Sequence, residues 1–315
     1  MSNGSIRKIA KALNLAPATV FRALSNNSNV AIETRRKIIS YATKVGYRLP
    51  NHNCKSIAIV VPHFNFTGYV SKMLPELEKS LHQRNYNILI IPEQDLQVLN
   101  DHMFDGIISM VWNEGKILQL PKQNPIPVVA LNAAFNVSEN IPLVASDKNG
   151  FQIALEYLKK HGCKRIFFIG AKVDKNPIEK EKLQEFQKFC EANGQNFEKL
   201  HRSVRFNEVT TVLQDILNAN ADGVFCGSET YAFSLGIAMK ASGIKIPEDI
   251  SLLGMEIADL NTAFTPTITA LSQDFSALAE EAVKMLVGEI EDKIPGFEIR
   301  VPMKLIERDS VQKKI

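Results

Sequence analysis

The chain has 315 residues, of which 45% are hydrophobic and 23% charged, and its formal net charge is +3. This composition is ordinary for a globular protein with two or three folded units, and no apolar run approaches the roughly 20 residues that span a bilayer. The first residues, MSNGSIRK, lack the apolar segment of a secretory signal. We therefore expect a cytoplasmic protein that does not associate with membranes.

The positive charge is concentrated near the beginning of the chain. Residues 1–50 contain nine basic residues against one acidic residue, a net of +8, which leaves −5 for the rest of the chain. A small basic module on a mildly acidic body is typical of nucleic-acid binding. The alternative is a basic surface that is merely solvated.

Residues 5–47 show the apolar spacing of three short helices. Apolar residues recur every three or four positions in 6–13, 20–24 and 38–45. Asn14 begins the tight turn between the first two segments, and Gly46 stands where a helix end favours a positive φ. Helix, tight turn, helix and supporting third helix is the helix-turn-helix plan.

After Pro50, short apolar runs alternate with helical stretches. The predicted strands are SIAIVVP, YNILIIP, DGIISM, IPVVALN, KRIFFIG, ADGVFCG, DISLLGM and TITALSQ, with helices at about 70–85, 149–161, 178–193, 207–220, 229–242 and 274–292 and one closing strand near 297–308. This alternation predicts an α/β fold with two parallel sheets. Open α/β sheets bind ligands at the carboxyl ends of their strands, so two facing sheets would enclose a cleft.

Neither the cysteines nor the histidines form a pattern typical of metal binding or catalysis. The four cysteines are widely spaced and the six histidines are scattered, without a CxxC or Cys/His pair. The sequence also lacks the GxSxG, GxGxxG, P-loop and HExxH motifs. We therefore expect no metal, no cofactor and no enzymatic activity.

The segment IRKIAKALNLAPATVFRALSNNSNVAIETRRKIISYATKVGYR resembles the DNA-binding headpiece of the LacI-type transcriptional regulators, the lactose/purine-repressor family. Downstream, IAIVVP, DGIISM, IPVVALN, SDKNG, HGCKRIFFIG, IPEDISLLGM and TPTITALSQD follow in the family's order and spacing. The resemblance implies a homodimeric repressor with a three-helix headpiece and a periplasmic-binding-protein-like core of two subdomains. Its implied partners are double-stranded operator DNA and a small-molecule effector.

The resemblance also implies the domain boundaries. We expect a headpiece at 1–48, a short linker at 49–56, a first core subdomain at 57–162 plus about 274–292, and a second at 163–272 plus about 296–310. In the family a longer hinge folds on DNA and wedges a leucine into the minor groove. Here only six residues separate Pro50 from Ile57, so we expect no such wedge.

The family's DNA-contacting positions correspond to Lys8, Ala16, Pro17, Ala18, Thr19, Phe21 and Arg22 in this chain. Arg22 is the one side chain at the base-facing positions that can bind guanine in a bidentate way, whereas Pro17 and Ala18 offer apolar contacts to thymine methyls. Thr19 and Lys8 are expected at phosphates. An exposed cation without a DNA role is the alternative for Arg22. We interpret Phe21 as packing against another helix, with contact to DNA as the alternative.

Alanines precede the second and third predicted helices, at Ala16 and Ala31. The family usually has Ser before the second helix. A missing side-chain cap costs about 0.5–2 kcal/mol, so we expect a less stable headpiece, although Pro17 suits the first helical position.

The family's effector contacts correspond by motif to Asp147, Lys182, Ser228, Glu229, Glu256 and Gln273. We also expect aromatic rings of the first loop to stack on a sugar or base, and these are Phe64, Phe66 and Tyr69. Lys182 replaces an arginine and Glu256 an aspartate of the family. Because Lys is a point charge, it holds a diol or carboxylate less well than the planar guanidinium fork. The alternatives are a Lys182–Glu256 salt bridge and a core role for Phe64.

We therefore predict a sequence-specific transcriptional regulator, with a repressor favoured and an activator as the alternative, whose operator affinity responds to a sugar-like or nucleoside-like metabolite. The alternative is a small-molecule-binding protein with weak or no operator reading. The charge of +8 in residues 1–50 favours the first.

Overall fold

The computed structural model describes residues 5–25, 30–45, 47, 55–62, 68–100, 104–111, 126–132, 141–172, 177–228, 230–256 and 258–312. The chain forms two compact units. The first contains Met1–Phe66, Val70–Val144 and Leu278–Ile299, and the second contains Thr67–Tyr69, Ala145–Ala277 and Arg300–Ile315. The division at Val144 falls earlier than the boundary we expected after residue 162.

The headpiece consists of helices α1 (Ile6–Leu13), α2 (Pro17–Leu24) and α3 (Ile32–Lys44), as the periodicity predicts. Asn14 adopts the left-handed conformation, with φ 54°, and ends α1. All three helices contribute to one small buried cluster, whose fully enclosed side chains include Ile9, Val20 and Ile38. Gly46, the predicted helix end, lies outside the described residues.

The first unit is built on a six-stranded sheet of order β11-β5-β4-β3-β1-β2, in which β11 is Glu298–Val301. Its strands and helices are β1 (Lys55–Val61), α4 (Gly68–His82), β2 (Tyr86–Pro92), a 3-10 helix (Glu93–Asn100), β3 (Gly106–Ser109), β4 (Val128–Leu131) and β5 (Leu143–Ser146). Lys55 and Ser56, which we assigned to the linker, already belong to β1, because they pair in parallel with Tyr86 and Asn87.

The second unit is built on a six-stranded sheet of order β12-β10-β9-β8-β6-β7, in which β12 is Lys304–Ile306. Its elements begin with α5 (Gly150–Lys160), β6 (Ile166–Ala171), α6 (Pro177–Ala192), a 3-10 helix (Phe197–Lys199), β7 (His201–Val204), a 3-10 helix (Phe206–Val212) and α7 (Leu213–Asn218). They continue with β8 (Gly223–Cys226), α8 (Tyr231–Ala241), β9 (Ser251–Met255), α9 (Ala258–Ala263) and β10 (Thr269–Ser272). Helix α10 (Phe275–Val287) and a π-helical turn (Gly288–Asp292) follow, and from Leu278 onward they belong to the first unit.

Helix α5 explains why the division between the units differs from our expectation. Its apolar side chains Phe151, Leu155 and Leu158 are buried in the core of the second unit, around Phe167 and Phe225. A sequence period identifies the helix but not the sheet against which it packs. The segment 145–162 therefore belongs with the second unit.

The single closing strand predicted near 297–308 is two strands. They are β11 (Glu298–Val301), in the first sheet, and β12 (Lys304–Ile306), which is antiparallel to β10 in the second sheet. Pro302 lies between them and has no N–H to continue a ladder. The prediction of two parallel α/β sheets is otherwise confirmed.

The helix predicted at 207–220 begins as a 3-10 helix and becomes α-helical at Leu213. The Thr211 hydroxyl donates to the carbonyl oxygen of Glu208 at 2.7 Å, and such local bonds compete with α-helical pairing. Among the described helices, none is both long and apolar enough to cross a membrane.

Candidate DNA-binding helix and ligand-binding cluster

Helix α2 is positioned by the turn that precedes it. The backbone N–H of Leu15 donates to the Ala10 carbonyl at 2.9 Å, and the carbonyl of Ala16 accepts from Thr19 and Val20 at 2.9 and 3.2 Å. Ala16 supplies no side-chain cap, and proline stands at the start of the helix. By contrast, the Ser5 hydroxyl caps α1 by accepting from the Lys8 N–H at 3.2 Å. Helix α2 thus lacks a side-chain cap, as predicted.

One face of α2 is buried and the other is exposed. Val20, Ala23 and Leu24 are buried in the headpiece cluster. The exposed residues on α2 and its cap are Ala16, Pro17, Ala18, Phe21 and Arg22, while Thr19 is half-buried and Lys8, on α1, is exposed. The face that the resemblance assigns to DNA is therefore open to a partner.

The packing interpretation of Phe21 is wrong. Its side chain is 51% exposed, and it is not among the residues that form or line the headpiece cluster. The carbonyl of Phe21 accepts from the backbone N–H and the hydroxyl of Ser25, at 2.9 and 2.7 Å. These bonds hold the end of α2 while the aromatic ring remains at the surface.

In the second unit, Lys182 is held at the carboxyl ends of two strands, directly at β8 and through Glu179 at β6. Its ammonium group donates to Glu179 Oε1 at 2.5 Å and to the carbonyl of Gly227, directly after β8, at 2.7 Å. The other oxygen of Glu179 accepts from the N–H of Ala171, at the end of β6, at 3.0 Å. Both side chains are largely buried, with 12% and 13% exposed. Sequence reasoning missed Glu179, whose carboxylate satisfies this cation.

Glu256, after β9, forms a bidentate ion pair with Arg308. Both N···O distances are 2.8 Å, and the two side chains are 10% and 14% exposed. Asn261 also donates to Glu256 Oε2 at 3.2 Å. The alternative of a Lys182–Glu256 salt bridge is therefore wrong. Arg308 lies 52 residues further along the chain, so no local motif identifies it as the partner.

An exposed aromatic ring follows β7. Phe206 is 57% exposed, and its ring centre lies 6.2 Å from that of Tyr231. The Tyr231 hydroxyl donates to the Val204 carbonyl at 2.9 Å, and burial, with a smaller contribution from the charge of Glu179, raises the pKa of Tyr231 to about 12. Sequence reasoning missed Phe206; an aromatic residue just after a polar strand end is the signal that could have found it.

Four other predicted effector residues are described; three of them lie at or near strand ends, and Tyr69 lies at the start of α4. Gln273 accepts from the Ser146 hydroxyl at 3.0 Å, and Asp147 accepts from the N–H of Asn149 at 3.0 Å. Ser228, directly after Gly227, is half-buried. The centre of the Tyr69 ring lies 5.9 Å from that of Phe275. Phe64, Phe66 and Glu229 lie outside the described residues. Within the part of the chain that the structure describes, no group of three acidic, His or Cys side chains could hold a metal ion.

The second unit thus carries a polar and aromatic cluster at the carboxyl edge of its sheet. We define this edge cluster as Glu179, Lys182, Phe206, Ser228 and Tyr231. It contains one satisfied ion pair, hydroxyl groups and an exposed ring. Such a set can bind a small polar molecule through hydrogen bonds and through the face of the ring.

Comparisons with known proteins agree with this architecture. The family model described as a periplasmic binding protein-like domain matches residues 155–311. The ribose operon repressor of Halalkalibacterium halodurans is 24% identical, over 98% of this chain and 97% of its own length. A CelR–cellobiose complex has a TM-score of 0.73 at 19% identity, covering 98% of this chain and 100% of its own.

The Lac repressor dimer bound to operator and the anti-inducer ONPF has a TM-score of 0.72 at 15% identity, and the match covers 98% of this chain and 99% of its own. The matches extend over the headpiece as well as the core. Together with the helix-turn-helix and the two parallel-sheet units, they show that the chain has the fold of these regulators, with a periplasmic binding protein-like domain over residues 155–311.

Proposed function

We propose that the protein is a homodimeric transcriptional repressor that binds operator DNA through α2 and responds to a small sugar-like or nucleoside-like effector. The observation that carries this proposal is the open face of α2, with Arg22 exposed on a module whose net charge is +8. A guanidinium group on such a face is suited to guanine, and the surrounding cations are suited to phosphates. Because its partner is the chromosome, we place the protein in the cytoplasm.

The edge cluster supports the effector half of the proposal. Lys182 and Glu179 present a cation and a carboxylate to any ligand hydroxyl, and the exposed Phe206 ring offers an apolar face. Sugars combine hydroxyl groups with an apolar ring face, which suits this set. The relatives named for ribose and cellobiose support the same class of ligand.

The short linker gives α2 a larger share of operator recognition. Only six residues lie between Pro50 and Ile57, and two of them, Lys55 and Ser56, are already held in β1. We infer that no segment remains that could form a hinge helix and wedge the minor groove. Specificity then depends on the major-groove contacts of α2.

A metabolite screen by thermal shift tests the effector half. We expect a monosaccharide, disaccharide or nucleoside to raise the melting temperature of the full chain. Phe206→Ala should remove this shift while leaving the unliganded protein stable, since the ring is 57% exposed. Phe297→Ala is the matched control, because that ring is 62% exposed in the first unit. Equal ligand shifts in the two variants would contradict the assignment of the edge cluster.

A further inference from the structure

The exposed face of α2 is almost entirely apolar. Ala18, Phe21 and Arg22 are spaced by three and four residues and therefore share one side of the helix. Of these three exposed side chains, only Arg22 can form a hydrogen bond to a base. Phe21 is the largest, and about half of its surface is open. Its contribution to recognition must come from apolar contact.

The charge of the headpiece identifies the partner that covers this ring. Residues 1–50 carry a net charge of +8, which favours the phosphate backbone over an apolar protein surface. Arg22 is the next residue and is exposed as well, and its guanidinium is suited to guanine. In the major groove, the one apolar group on the base edges is the C5 methyl of thymine.

We propose that Phe21 is a specificity-determining residue that contacts thymine methyl groups in the operator, next to the guanine bound by Arg22. This inference rests on the proposed function. Ala18 lies three residues earlier, about 4.5 Å along the helix axis at 1.5 Å per residue, and extends the apolar contact to a neighbouring base pair. The half-site therefore combines a guanine with one or two adjacent thymines.

Replacement of single thymines by deoxyuridine tests the contact, because it removes the methyl group and keeps the base pair. The operator is first obtained by selecting random duplexes on the full-length protein. We expect one or two positions per half-site at which deoxyuridine weakens binding about fourfold, the effect of losing one buried methyl group. In Phe21→Ala, binding to the thymine operator should fall, and deoxyuridine should have no further effect at the position that Phe21 contacts, whereas the effect at a position that Ala18 contacts should remain.

Ile32→Ala is the matched control. Ile32 is an exposed apolar residue of the headpiece, 63% open, and belongs to α3, so its variant should keep the full deoxyuridine effect. Specific binding that is insensitive to every deoxyuridine, or deoxyuridine effects that all persist in Phe21→Ala, would overturn the methyl contact and leave the proposed function intact. A selection that yields no preferred sequence would overturn the proposed function and this inference with it.

Discussion

The Glu256–Arg308 ion pair makes a quantitative prediction for Arg308→Ala. The side chains are 10% and 14% exposed, and both oxygens of Glu256 accept from the guanidinium at 2.8 Å. Arg308 also donates to the Ile268 carbonyl at 2.7 Å. Truncation of Arg308 leaves a buried carboxylate without its cation and a carbonyl without its donor.

Removing one partner of a buried ion pair costs about 3–5 kcal/mol, since the remaining charge is uncompensated. For a unit of about 150 residues, each kcal/mol lowers the melting temperature by roughly 2–4 °C. Arg308→Ala should therefore lower the melting temperature of the second unit by about 6–20 °C. The double variant Glu256→Gln/Arg308→Met should recover most of this loss, because neither charge remains.

Differential scanning calorimetry of the full-length variants measures this shift. The matched control is Lys304→Ala, which breaks a pair with Asp274 in the same unit at the same 2.8 Å distance but with the lysine 72% exposed. Exposed pairs contribute at most about 1 kcal/mol, so this variant should melt within a few degrees of the parent. If Arg308→Ala and Lys304→Ala shift the transition equally, burial does not strengthen the pair and the reasoning is refuted.

Three further predictions concern the headpiece and the thiols. Arg22→Ala should lose about 1–3 kcal/mol of operator binding per half-site while binding to scrambled DNA changes little, as measured by fluorescence anisotropy; equal losses on both duplexes would contradict a base contact. Ala16→Ser should stabilise the headpiece by about 0.5–2 kcal/mol, seen as slower amide exchange in α2, and unchanged exchange would show that the cap does not form. In the variant Cys54→Ser, the three remaining thiols, Cys163, Cys190 and Cys226, are buried and should not react with Ellman's reagent at pH 8 until urea unfolds the chain. Burial raises the pKa of Cys190 to about 11 and that of Cys226 still further. Fast reaction of the folded Cys54→Ser protein would contradict the burial of these thiols.

Periodicity and turn residues predicted most of the fold. The three headpiece helices and most strands that read as apolar runs were predicted because their patterns are local, but the short strand β5 (Leu143–Ser146) was missed. Strand β7, with sequence HRSV, was not predicted, since it lies at a sheet edge and is only half-buried. The assignment of α5 to the second unit was not predictable either, because a helical period does not say which sheet covers it.

The candidate sites were predictable to different degrees. The open face of α2 follows from the turn at Asn14 and the buried spacing of Val20 and Leu24, all within one short segment. The partners of Lys182 and Glu256 depend on side chains that only folding brings together. Arg308 is contributed from beyond the last strand, and no sequence spacing relates it to β9.

Operator binding by the full-length protein tests the central claim most directly. Fluorescence anisotropy should compare a fragment of the protein's own promoter region with a scrambled duplex between 50 and 200 mM salt. We predict that the promoter fragment binds at least about 10³-fold more tightly, and that both affinities fall steeply with salt because phosphate contacts release counterions. Equal affinity for the two duplexes across the salt range would contradict the claim that α2 reads an operator.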